Sequence, residues 1–97
     1  MYKLEFTASA VDDIGYFKKT EQTFILDSIE ASLRHESLVE TRHRKPLRPN
    51  DLSAWELRVS DFRVFYDVEE NAKVVLIKAL GYKKHNVLYI RGRRFEL

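Results

Sequence analysis

The stretch Trp55–Val68 constrains the fold most, because its apolar and polar residues alternate with a period of two on both sides of Ser60-Asp61. Such alternation is typical of β-strands with one buried face, and two alternating runs around a short polar break predict a β-hairpin. A loop of two or four residues at the break places Arg58 opposite Arg63. The sequence therefore predicts two arginines side by side on the exposed face of a sheet.

Two like charges directly opposite each other destabilise a sheet by roughly a few tenths to 1 kcal/mol. A bound anion between the two arginines would remove this repulsion. The alternative is an ordinary solvated surface on which the two side chains splay apart, since exposed charge pairs contribute little to stability. Both interpretations fit these residues.

A third strand is predicted over 73–80, where most residues are apolar and several are β-branched. The polar segment 69–72 connects it to the hairpin and contains an asparagine, which tolerates a left-handed turn. A loop centred on residues 70 and 71 would pair Arg63 with Lys78. Arg63 would then lie between Arg58 and Lys78, with Glu56 as its diagonal neighbour.

The remaining elements are predicted from the spacing of apolar residues and from residues that can cap a helix. Residues 2–7 alternate like a strand, 9–19 and about 20–36 have helical spacing, and 87–91 resemble a further strand. These elements predict an α+β fold with an N-terminal strand and a helical hairpin packed on a mainly antiparallel, twisted sheet of four to five strands. We expect one domain over 1–97.

Composition supports a small globular domain, because the 97 residues are 44% hydrophobic and 12% aromatic. The chain has no cysteine, so we expect neither a disulfide nor a thiolate metal site, which fits the cytoplasm. No apolar run approaches the roughly 18 residues of a membrane span, and the start of the chain lacks the shape of a signal peptide. We therefore expect a cytoplasmic protein without a membrane segment.

Charge is unevenly distributed along the chain. Residues 1–41 carry four Lys/Arg against eight Asp/Glu, a net charge of −4, whereas 42–97 carry thirteen against seven, a net charge of +6. A basic sheet half indicates a polyanionic partner such as nucleic acid, although a small protein can acquire such an asymmetry by chance.

Several cations outside the hairpin are candidates for contacting RNA. Some lie in the basic loop around Pro46 and Pro49, where a fixed loop could hold phosphates and a solvated linker is the alternative. Others lie on the third strand and in the C-terminal part of the chain. The predicted RNA-binding residues are Arg44, Lys45, Arg48, Lys78, Lys84, Arg91, Arg93 and Arg94.

The chemistry that these residue types favour is metal-free cleavage of RNA by attack of the ribose 2′-OH on the adjacent phosphate. This reaction needs a base, an acid and cations on the phosphoryl oxygens. Arg63 suits the phosphate role, while Lys83, His85 and Tyr89 offer an ammonium, an imidazole and a phenol. Tyr89 or Phe65 could stack on an unpaired base. The three histidines lack metal-ligand spacing, so we predict no metal ion and no small-molecule cofactor.

The chain resembles the RelE/ParE superfamily of toxins from bacterial type II toxin–antitoxin modules. The resemblance covers nearly the whole chain and is carried by a hairpin with an arginine, two apolar residues and a tyrosine in its second strand. The matching residues are Pro46-Leu47-Arg48, Leu52-Ser53, Trp55-Glu56-Leu57-Arg58-Val59, Phe62-Arg63-Val64-Phe65-Tyr66, Lys83 and Leu88-Tyr89.

The resemblance implies a ribosome-dependent mRNA endonuclease that inhibits translation, with the ribosome, mRNA and a cognate antitoxin as partners. Arg63 matches the arginine that RelE-type nucleases use on the scissile phosphate, and Arg58 matches a basic residue on the first hairpin strand. Tyr89 matches a tyrosine that orients or activates the 2′-OH, and Lys83 falls where RelE has an arginine. Lys45 falls roughly where the YoeB branch has a carboxylate proposed as base.

Glu56 departs from the family pattern, because RelE has a lysine at this position. It is either a general base or a structural partner of the two arginines, and we favour the structural role because a carboxylate held by arginines is a weak base. Two other functions fit the superfamily: a ParE-like inhibitor of DNA gyrase without nuclease activity, and a non-catalytic RNA-binding relative.

Overall fold

The computed structural model describes all 97 residues and confirms the predicted α+β arrangement, with two helices packed on a mainly antiparallel sheet. The sheet has seven strands rather than four to five. The elements are β1 (Lys3–Phe6), α1 (Ala8–Ile14), α2 (Lys19–Leu33), β2 (Arg44–Pro46), β3 (Trp55–Val59), β4 (Phe62–Glu69), β5 (Val74–Lys84), β6 (Val87–Ile90) and β7 (Arg93–Phe95).

Strand β5 is the centre of the sheet. Strands β2 to β7 follow one another in sequence order, and β1 pairs parallel with the first half of β5 while β6 pairs antiparallel with its end. Side chains from the two ends of α1, those of its N-cap Thr7 and of Asp13 in its last turn, bind β5 between β1 and β6. The Thr7 hydroxyl donates to the carbonyl of Lys78 (3.1 Å), and the backbone N–H of Leu80 donates to the Asp13 carboxylate (3.0 Å).

Both helices are shorter than predicted. Helix α1 is capped by Thr7, whose hydroxyl accepts from the backbone N–H of Ala10, and it ends before Gly15. Helix α2 ends at Leu33, and the carbonyl of Arg34, which has no partner within the helix, accepts a hydrogen bond from the backbone N–H of Tyr2 (2.7 Å). Neither helix has the length and apolar character needed to cross a membrane.

The sheet is covered on both faces, so the prediction of a single buried face was wrong. One face, the helix side, forms the main core with both helices through residues such as Leu57 and Val64. The other face, the loop side, carries a second cluster of Phe65, Ala79 and Leu88. This cluster is covered by apolar side chains of the 47–54 segment and of the C-terminal strands, which are Leu47, Leu52, Ile90 and Phe95.

The register of the β3–β4 hairpin is as predicted, with Arg58 opposite Arg63. The predicted register between β4 and β5 was wrong for two reasons. The loop that joins the strands is centred on residues 71 and 72 instead of 70 and 71, which moves the partner on β5 by two residues, and a bulge between Phe65 and Tyr66 moves it by one more. Arg63 therefore lies opposite Gly81 instead of Lys78. A bulge adds an unpaired residue that alternation in the sequence does not reveal.

Candidate functional site

The Arg58–Arg63 pair lies on the loop side of the sheet. Neither guanidinium forms an ion pair, whereas several other cations of the protein do. Arg58 is exposed to solvent. Two unpaired like charges on neighbouring strands create a local positive potential that an anion would relieve.

Arg63 is buried, with only 7% of its surface exposed, which corrects the prediction of a fully exposed pair. Its Nη1 donates to the carbonyls of Ser60 and Phe62, both at 2.9 Å, so the guanidinium is fixed beside the β3–β4 turn. Its Nε is buried without a hydrogen-bond partner. A buried cation with free donors is costly unless an anion or acceptor satisfies it.

The charges around Arg63 act in opposite directions on its pKa. Burial lowers the pKa of Arg63 below its ordinary value; the carboxylate of Glu56 opposes this shift, and the charge of Arg58 adds to it. An arginine side chain nevertheless stays protonated in proteins. The site therefore holds a permanent positive charge in a partly desolvated position, where it interacts more strongly with an anion than it would in water.

Lys83 joins the two arginines on the loop side. Gly81 is the cross-strand partner of Arg63, and Lys83 lies two residues beyond Gly81 on β5. Because alternate residues of a strand lie on the same face, the side chain of Lys83 projects on the loop side, as that of Arg63 does. The backbone N–H of Lys83 donates to the carbonyl of Asp61 (2.8 Å), which fastens the end of β5 to the β3–β4 turn. Lys83 is half-buried and forms no ion pair. We call Arg58, Arg63 and Lys83 the cation cluster.

Glu56 also lies on the loop side but is almost fully buried, at 3% exposure. It pairs with Lys45 of the neighbouring strand, with Nζ 3.9 Å from Oε2. A buried carboxylate in this position neutralises part of the charge of the cation cluster, and it has little access to a substrate.

Tyr89 is not brought to the cation cluster. Tyr89 of β6 lies opposite Tyr82 of β5, and Tyr82 lies opposite Phe62 of β4. Because cross-strand partners share a face and Phe62 is on the helix side, Tyr89 is on the helix side as well. Its ring stacks on Tyr82, with centroids 5.3 Å apart. His85 is exposed in the turn between β5 and β6, in a left-handed conformation (φ 53°). Phe65, the other predicted stacking surface, is fully buried and unavailable to a base.

Arg44 and Lys78 also lie away from the cation cluster. Arg44 lies on the helix side, where its Nη1 donates to the carbonyl of Ser32 and its Nη2 is 3.7 Å from Glu36. It therefore braces β2 against α2. Lys78 pairs with Asp67 (3.5 Å) instead of flanking Arg63.

Arg48 lies in a fixed loop, as the sequence suggested. Within the 47–54 segment, Asn50 Oδ1 accepts hydrogen bonds from the backbone N–H groups of Leu52 and Ser53. Arg48 itself is exposed at the tip of this loop.

The remaining predicted cations are distributed at the surface of the C-terminal half. Arg91 is bound to the buried carboxylate of Asp13, with Nε 3.0 Å from Oδ1, and Arg94 pairs with a neighbouring glutamate. Arg93 and Lys84 are exposed and form no ion pair. Sequence reasoning missed the place of Gly81 opposite Arg63, because alternation reveals neither the centre of the β4–β5 loop nor the bulge between Phe65 and Tyr66.

No family model and no curated protein sequence matches the chain. Solved structures do match. A chain of the RelBE2 toxin–antitoxin complex of Mycobacterium tuberculosis superposes with a TM-score of 0.73 at 22% identity, covering 84% of this chain and 98% of that one. The chain has the fold of the RelE toxins.

Two further RelE-like matches agree with this fold. The archaeal RelE–RelB complex of Pyrococcus horikoshii gives a TM-score of 0.69 at 22% identity, covering 87% of this chain and 97% of that one. The intact Escherichia coli RelBE complex gives 0.59 at 18% identity, covering 88% and 100%. All three are toxin–antitoxin complexes.

Proposed function

We propose that the chain is the toxin of a toxin–antitoxin pair and that it cleaves mRNA on the ribosome, without a metal ion. The observation that carries this proposal is Arg63, a buried cation with an unpartnered Nε beside two further unpaired cations. The RelE-like fold supports it, because the structural neighbours are toxins crystallised with their antitoxins. The cognate antitoxin is then the second partner, and we expect it to neutralise the cation cluster.

In the proposed reaction the ribose 2′-OH gives its proton to solvent, its oxygen attacks the adjacent phosphorus, and the bond to the 5′-oxygen breaks. The products are a 2′,3′-cyclic phosphate and a free 5′-hydroxyl. Arg63 and Arg58 bind the phosphoryl oxygens, whose negative charge grows in the transition state. Fixed donors aimed at such developing charge contribute roughly 10²- to 10³-fold in rate each.

Lys83 is the proposed group at the leaving 5′-oxygen, because it is the third cation on the same face and its backbone is fastened to the β3–β4 turn. An ammonium there neutralises or protonates the departing oxyanion. The ribosome presents and distorts the mRNA in this proposal, so that few side chains of the toxin suffice. Tyr89 and His85 have no role on this face as they are placed.

Arg63→Ala and Arg58→Ala test the proposal in a translation reaction, with primer extension to map cuts in ribosome-bound mRNA. We expect both variants to lose roughly 10²-fold or more in cleavage rate. Arg58 is exposed and forms no ion pair, so its removal leaves the fold intact, whereas Arg63→Ala needs circular dichroism to show that it folds. Arg42→Ala removes an exposed cation outside the cluster and serves as the matched control.

Undiminished cleavage by the folded Arg63 and Arg58 variants would contradict the phosphate role. A gyrase supercoiling assay runs beside the translation reaction. Inhibition of supercoiling by the wild-type protein, without any cut in mRNA, would replace the nuclease with the ParE-like function.

A further inference from the structure

A cleft of about 520 Å³ opens beside Lys83, between the α1–α2 connection and the ends of the hairpins β3–β4 and β5–β6. Its volume lies in the range of small-molecule sites. Half of the lining side chains are aromatic and half are charged. They are Tyr16, Phe17, Phe62 and Tyr82, together with Glu21, Asp61, Lys83 and Lys84.

Three of the aromatic side chains pack against one another, and the fourth, Tyr16, is exposed. Phe17 packs edge-on against Phe62 and Tyr82, with centroids 5.3 Å and 6.3 Å apart. Tyr16 is 61% exposed, and its ring lies against Gly92, where a Cβ would approach to 3.2 Å. Tyr16 therefore keeps most of its surface exposed beside these packed rings, although part of it contacts Gly92, and the exposed part is available for stacking.

The cleft and the cation cluster share one element, the β3–β4 turn. The carbonyl of Ser60 accepts from Arg63, and the carbonyl of the next residue, Asp61, accepts from the backbone of Lys83. Lys83 and Lys84 are the last two residues of β5. Lys83 projects on the loop side of the sheet and Lys84 on the helix side. Neither lysine forms an ion pair.

We propose that this aromatic cleft binds one nucleobase of a single-stranded RNA whose neighbouring phosphate lies on the cation cluster. The inference rests on the proposed function and adds a subsite to it. Aromatic side chains stack on any base, and lysines beside them hold the backbone. The unpaired lysines at the rim favour RNA over an apolar side chain of a protein partner, since a protein anchor would leave both cations without an anion. Asp61 and Lys84 also offer an acceptor and a donor to the edge of the base.

The test uses a short single-stranded RNA that is 2′-O-methylated, so that it cannot be cleaved by 2′-OH attack. A series of versions each carries one abasic nucleotide, and binding is measured by fluorescence anisotropy at fixed ionic strength. With the wild-type protein, we expect one abasic version to bind roughly five- to 150-fold more weakly than the intact probe, which is the loss of one stacked base.

Tyr16→Ala should bind the intact probe with a similar loss and should no longer distinguish that abasic version. Tyr16→Phe keeps the ring and should behave like the wild type. Val11→Ala, which removes an exposed apolar side chain of the preceding helix α1 outside the cleft, is the control. Both positions are exposed, so the variants keep the fold.

The two proposals fail in different ways in this experiment. If Tyr16→Ala still distinguishes the abasic version as the wild type does, the base cleft is wrong and the cation cluster stands. If Arg63→Ala and Arg58→Ala bind every version as tightly as the wild type does, the phosphate role is wrong. If the wild-type protein binds no version, or if Tyr16→Ala loses affinity only for the antitoxin, the base cleft is overturned.

Discussion

Glu56 is the residue whose role the structure clarifies most. The sequence placed it on the same face as Arg58 and Arg63, which the register confirms. It did not reveal that Glu56 and Arg63 are buried, because the cover comes from segments remote in the chain, the 47–54 loop and the C-terminal strands. Alternation of apolar and polar residues identifies the faces of a strand, but it does not say what lies over the second face.

Burial favours a structural role for Glu56. A carboxylate that is 3% exposed and paired with Lys45 has no path to a 2′-OH above the sheet, whereas its charge raises the pKa of Arg63 and so stabilises the buried cation. We expect Glu56→Gln to cleave ribosome-bound mRNA within about threefold of the wild-type rate, far from the roughly 10²- to 10⁴-fold cost of losing a general base. Its free energy of unfolding should fall by roughly 1–3 kcal/mol, because the buried Arg63 loses a compensating charge.

Single-turnover cleavage and urea unfolding measure these two effects on the same preparation. Glu70→Gln, in an exposed turn away from the cluster, controls for the loss of one negative charge. A hundredfold loss of cleavage by a folded Glu56→Gln variant would make Glu56 the base.

At the scale of elements, the end of β5 is positioned by a close approach of β6. A Cβ built on Gly81 would lie 2.5 Å from the backbone carbonyl of Tyr89 and 3.2 Å from the side chain of Leu88. Only glycine therefore allows β6 to pack this closely beside Lys83. The conformation of Gly81 is not the reason, since its φ is not positive.

Gly81→Ala should therefore force β6 away from β5 and lower the free energy of unfolding by roughly 1–3 kcal/mol, as overpacking does. Gly15→Ala is the matched control, because its Cβ would lie 3.4 Å from the nearest atom and its φ of −63° suits alanine. Urea unfolding of both variants checks the prediction. Equal stability of the two would show that β6 moves without cost.

The elements differ in how far the sequence predicts them. The tight β3–β4 hairpin follows from alternation around Ser60-Asp61, because a short turn fixes the register. The register of β4 against β5 does not follow, because the β4–β5 loop is centred one residue later than predicted and the bulge at Phe65 adds a further shift. Strands β2 and β7 have three residues each, too few to show a period, and β2 contains Pro46. The predicted number of strands was therefore too low.

At the scale of the whole molecule, Asp13 joins three parts of the fold. This aspartate of α1 is 1% exposed, accepts the backbone N–H of Leu80 in β5 and binds Arg91 in the β6–β7 turn. Sequence patterning does not predict this role, because an acidic residue in a short amphipathic helix is usually exposed. Arg91 itself is in a left-handed conformation (φ 51°), which its ion pair with Asp13 helps to hold.

Asp13 should make the stability of the protein depend on pH. Burial raises the pKa of Asp13 above its ordinary value of 3.8, although the Leu80 N–H and Arg91 oppose the shift. Above pH 3.8 the unfolded chain has released this proton while the folded chain still holds it, so folding becomes less favourable as pH rises through the folded pKa. The loss has a slope of at most about 1.4 kcal/mol per pH unit.

Asp13→Asn keeps an acceptor for Leu80 and removes the titration. The difference in free energy of unfolding, variant minus wild type, should therefore increase as pH rises from 3.8 and then level off above the folded pKa. Urea unfolding of both proteins at closely spaced pH values measures this difference. Asp12→Asn, at the exposed neighbouring position, corrects for the general loss of one negative charge. A difference that decreases with pH would mean that the attraction of Arg91 outweighs burial, and that the ion pair stabilises the ionised carboxylate.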